Sequence, residues 1–68
     1  MASRRRIVLY AVGDARYLRS LESSINAGDH VNHPERPDVI AESAEVVYQD
    51  PYSDRLIIAV RFCPLPKP

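Results

Sequence analysis

At 68 residues with 46% apolar and 26% charged side chains, the chain has room for one small domain and is too apolar to read as a disordered segment. Its formal net charge of zero supplies no overall positive potential for a polyanion, and its single cysteine, Cys63, excludes an intramolecular disulfide. No run approaches the roughly 20 apolar residues of a membrane helix, and Ile7–Val12 is too short for the apolar core of a signal peptide. A reducing compartment, the cytoplasm, is therefore the expected location.

The zero net charge hides a polarity. Residues 1–19 carry a net +4, residues 20–54 a net −7 and residues 55–68 a net +3. Such a pattern either steers a partner or pairs the acidic middle with the basic ends within the fold.

Taken in order, a basic arm over residues 1–5 leads into Ile7-Val-Leu-Tyr-Ala-Val12, rich in the β-branched and aromatic residues that suit a strand. Both faces are apolar, Ile7, Leu9 and Ala11 on one and Val8, Tyr10 and Val12 on the other, so a place inside the sheet or cover on both sides is expected. Gly13-Asp14 turns the chain, and the Asp14 carboxylate suits the N-cap of a helix from about Ala15 to Ala27. Leu18, Leu21 and Ile25, with Tyr17 beside Leu21, form its apolar stripe; Arg16, Arg19, Ser23 and Asn26 fall mainly on the opposite side. Gly28 stands where a left-handed residue would close the helix.

Asp29–Asp38, with two prolines and one aliphatic residue, reads as a loop. It is longer than the usual connection of about 4–6 residues, so it spans the sheet, carries a helical turn or has a task of its own. Over Asp38–Gln49 helical and strand periodicities compete, and the following Asp50-Pro-Tyr-Ser-Asp54 decides for a strand, because Asp then Pro is type I turn chemistry. The hairpin register then expected sets Val47 opposite Ile57, Glu45 opposite Ala59, Tyr48 opposite Leu56, Val46 opposite Ile58 and Ala44 opposite Val60, with Glu45 diagonal to Arg61. Val39–Ser43 is either an irregular lead-in strand or one turn of helix. Arg55–Phe62 is the most continuously apolar run, and a Pro-rich tail over residues 64–68 ends it.

Chemistry-bearing constellations are thin. His30 and His33, with Asp29, Glu35 and Asp38 nearby, lack returning ligands from elsewhere, so no metal site is expected. The lone Gly13 before Asp14 is not a phosphate-binding loop. Nothing pairs Cys63 or a serine with a histidine, no acid/base pair stands out, and no pattern asks for a cofactor. The expectation is a protein that is not an enzyme.

The fold expected is α+β, a single small domain in the order β-α-β-β over residues 1–68. It comprises a three-stranded mixed sheet, one packed helix and a C-terminal β-hairpin, with a right-handed crossover setting the second strand parallel to the first. One helix covers one face of such a sheet. The other, through Glu45, Val47, Gln49, Arg55, Ile57, Ala59 and Arg61, has an apolar centre with a polar rim, the anatomy of a partner interface. The function expected is a protein-binding module, self-associating as a homodimer, acting as a small regulator or inhibitor; its size and composition suit a phage or mobile-element product. The alternative is a nucleic-acid-binding accessory protein using Arg4, Arg5 and Arg6 with Arg16 and Arg19.

Overall fold

A computed structural model describes residues 7–65, which form β1 (Ile7–Asp14), α1 (Ala15–Asn26), β2 (Val39–Gln49) and β3 (Arg55–Pro64). The strands make one sheet in the order β1-β3-β2, and both ladders are antiparallel. The β-α-β-β order is as expected; the mixed sheet is not. β1 and β2 do run in the same direction, since each opposes β3, but β3 lies between them and no parallel ladder forms. The hairpin forces β3 antiparallel to β2, and β3 is the strand with most to lose at an edge, so it takes the slot paired on both sides. The helical connection from β1 to β2 thus becomes a split crossover, with β3 filling the gap.

Side-chain alternation sends Leu56, Ile58, Val60 and Phe62 of β3 into the core, where Leu56 and Ile58 are fully buried. Burying either is worth about 1.5–3 kcal/mol. α1 lays Leu18 and Ile25 on them, with Ala15 and Leu21 packed alongside. The expected fourth member of that stripe, Tyr17, is instead exposed, on the flank of the helix. Asp14 caps the helix by accepting the Tyr17 N–H at 3.1 Å. At the other end Gly28, at φ +95°, lets its own N–H reach the Ile25 carbonyl and the Asp29 N–H reach Ser24, a complete left-handed closure.

The long connection has a task. Val31 packs against the core, its carbonyl accepts the Ala41 N–H at 2.8 Å, and Asn32 bridges to Ile40, so the segment clips onto the outer edge of β2. The His33 ring meets Phe62 edge-on at 4.8 Å, while its Nδ1 accepts the Glu35 N–H. Val39–Ser43, by its residues either a lead-in strand or a helical turn, belongs to β2.

The hairpin register matches expectation at Ala44–Val60, Glu45–Ala59 and Val46–Ile58, then slips. A bulge at Val47 sets Tyr48 opposite Ile57 and Gln49 opposite Leu56, in place of the expected Val47–Ile57 and Tyr48–Leu56 pairs. The turn accounts for it: the Asp50 N–H donates to the Arg55 carbonyl, so the loop is one residue shorter than Asp50–Asp54, and the extra residue is taken up in β2. The Asp50 carboxylate then holds the turn through the Tyr52 N–H and the Ser53 hydroxyl, both at 2.9 Å.

Two outcomes follow. Ile58→Ala is expected to cost about 2–5 kcal/mol, comparable with the about 3–5 kcal/mol a core of this size supplies, leaving the variant largely unfolded by circular dichroism, whereas Ile58→Val should stay folded in urea titration. The Tyr52 N–H, and after it the Ser53 hydroxyl, lower the Asp50 pKa. Its folded pKa thus lies below its unfolded one, and its contribution is complete above the unfolded carboxylate range and lost as pH falls through the folded value. The stability gap between wild type and Asp50→Ala should therefore be constant near neutrality and close below about pH 4 in urea titrations at a series of pH values.

Candidate interaction surface on the open face of the sheet

α1 covers one face of the sheet; the other is built from the alternate residues of each strand. Register places them in rows: Val12–Ile57–Tyr48, then Tyr10–Ala59–Glu45, then Val8–Arg61–Ser43. The first row and Tyr10 are apolar; Tyr10, Val12 and Tyr48 are open to solvent, 63%, 60% and 54% exposed, and Ile57 between them is half-buried. Ala59, though on this face, is only 7% exposed, because a methyl group between Tyr10 and Glu45 lies below the level of its neighbours. Arg61 and Glu45 bound the patch as an ion pair at 3.6 Å, both about half-exposed, so the pair adds little to stability.

The expected interface residues divide. Glu45, Ile57, Ala59 and Arg61 come together here, and Arg55 stands exposed at the end of β3 opposite Asp14. Gln49 does not belong: the bulge turns it to the helix side, where its Oε1 accepts from Arg19 at 2.7 Å. Val47 occupies the bulge, with no partner on β3. Tyr10, Val12 and Tyr48 were the residues missed. For β1 the signal was present in its two apolar faces, but the expectation that both would be covered is incorrect, because β1 is an edge strand with its even-numbered residues open.

Of the arginines that the nucleic-acid alternative would use, Arg4, Arg5 and Arg6 lie outside the described residues. Arg19 is held by Gln49, and exposed Arg16 borders the same surface depression as Asp14 and Asp54. Among the described residues no three His, Cys, Asp or Glu side chains gather as a metal-holding group. His33 is occupied with Phe62, and Asp38 pairs instead with Arg36 through two hydrogen bonds of 3.0 and 2.8 Å, the first cause of its lowered pKa.

The two edges of the sheet differ. Asn26, the last residue of α1, donates its Nδ2 to the Ala44 carbonyl at 2.9 Å and accepts the Ala44 N–H on its Oδ1 at 3.0 Å. It thereby covers the outer edge of β2 at Ala44, although helical spacing sets it mainly on the side away from the core stripe. This anchor draws α1 toward β2, and an apolar groove of about 390 Å³ is left on the β1 side, bordered by Leu9, Ala11, Leu21, Val31 and Phe62. The bond pattern also orients β1. Since Ala44 sends its backbone groups outward to Asn26, its partner Val60 sends its own toward β1, where Leu9 receives them. By alternation Val8, Tyr10 and Val12 direct their N–H and C=O groups off the free edge.

No protein-family model matches this chain, and no curated protein or solved structure shows significant similarity to it.

Asn26→Ala removes both bonds to Ala44. It is expected to cost about 1–3 kcal/mol in urea unfolding and to speed amide exchange at Ala44 while the β1–β3 amides keep their relative protection.

Proposed function

We propose that this chain is a non-enzymatic protein-binding module, a small regulator or inhibitor that works by laying its open sheet face on a partner protein. One observation carries the reading: an apolar stripe of Tyr10, Val12, Ile57 and Tyr48 crosses all three strands on the face opposite the helix, with the Glu45–Arg61 pair at its margin. Exposed aromatic side chains with a polar rim suit a protein surface of complementary shape and apolar centre, because tyrosine contributes large contact area at small entropic cost. The sheet supplies a rigid base, so little ordering would offset that gain.

The test is partner capture with face variants. A cellular protein retained by the wild-type chain should bind at least tenfold more weakly to Tyr48→Glu and to Ile57→Glu, and equally well to Arg36→Ala, which lies away from the face. Tyr48 is exposed, so its variant separates loss of contact from loss of folding. Binding unchanged by both face variants would overturn the reading, as would retention on heparin that falls with salt and supplies the only detectable activity, the outcome belonging to a nucleic-acid-binding protein.

A further inference from the structure

β2 has its edge covered at Ala44 by Asn26 and at Ala41 by the Val31 carbonyl, and a bulge interrupts it at Val47. β1 has no such closure among the described residues: the outward groups of Val8, Tyr10 and Val12 meet no protein partner, and the strand contains no proline, lysine or bulge to blunt it. We propose that this edge is covered by β1 of a second copy of the chain, antiparallel about a two-fold axis at Tyr10, so that two three-stranded sheets become one of six strands. The inference rests on the reading of the chain as a protein-binding module, but it uses the edge of the sheet and names the partner as the chain itself.

Three features select this occupant and register. Backbone parity comes first. Only residues that point outward can bond across the edge, so even-numbered residues must face even-numbered ones, and a two-fold at Tyr10 pairs Tyr10 with itself and Val8 with Val12 in hydrogen-bonded positions.

Side-chain fit comes second. Leu9 then lies opposite Ala11, a large residue against a small one, on the side where α1 leaves the groove open. Moving the axis to Ala11 would set Val8 against Asp14, and moving it to Leu9 would shorten the overlap.

Charge comes third. The strand is preceded in sequence by Arg4-Arg5-Arg6 and ends at Asp14, so antiparallel pairing sets a basic start against an acidic end twice over, whereas parallel pairing would set like against like.

The experiment uses the full chain in a Cys63→Ser background. Sedimentation should give a species of twice 7.7 kDa. Mild oxidation of a Tyr10→Cys variant should yield a covalent dimer, since facing residues in a hydrogen-bonded pair stand about 5.5 Å apart, within disulfide reach. Val8→Cys should yield little, because the two copies of that position are offset by four residues, roughly 13 Å along the strands. Tyr10→Pro deletes an N–H that points off the free edge and spares the bonds to β3, so it should be a folded monomer.

A monomeric wild type, or cross-linking as ready through position 8 as through position 10, overturns the proposal. So does a dimer that survives Tyr10→Pro and is lost in Ile57→Glu, which would mean that the copies meet face to face and would leave the open-face reading standing. If Tyr10→Pro fails to fold, the pair of cysteine variants decides alone.

Discussion

Every element of this domain depends on β3 being flanked on both sides. Its backbone satisfies β1 with one set of groups and β2 with the other, and its core-facing side chains are the floor on which Leu18 and Ile25 of α1 rest. A strand so placed must be apolar along its core face and free of proline until it ends. Leu56, Ile58, Val60 and Phe62 supply that face, and Pro64 comes where the ladder stops.

The second determinant is lateral. A helix above a three-stranded sheet has to choose a position across it, and here the two hydrogen bonds between Asn26 and Ala44 draw α1 to the β2 side. That choice has three consequences for interaction. The β2 edge is covered at Ala44, the β1 edge is left among the described residues with free backbone groups, and the groove beside Leu9 and Ala11 stays open.

Much of the architecture was legible in the residues. The order of elements, the Asp14 cap, the Gly28 closure and three pairs of the hairpin ladder follow from capping chemistry, turn chemistry and two-residue alternation, which are local. What was not legible is set by neighbours. Nothing within Ile7–Val12 says whether a strand with two apolar faces lies inside a sheet or at its margin; that depends on β3 entering between β1 and β2. The slip at Val47 follows from a turn that closes through the Asp50 N–H, and it moves Gln49 from the open face to the helix side and Tyr48 the other way. Asn26 was unreadable because its acceptor and donor, the backbone of Ala44, is common to every residue and leaves no trace in the sequence. Of the open face, Glu45, Ile57, Ala59 and Arg61 follow from alternation, as does the grouping of Tyr10 with Val12; that this β1 face stays uncovered, and that Tyr48 joins it, does not.

The split order also has a consequence in time. β1 and β2 never bond to each other, so during synthesis the ribosome releases a strand, a helix and a second strand that have no ladder to join until Arg55–Pro64 emerges. The β1–β3 contacts also close a loop of most of the chain, an entropic cost borne late. Until then the apolar run Ile7–Val12 is a nascent segment with no strand to pair with.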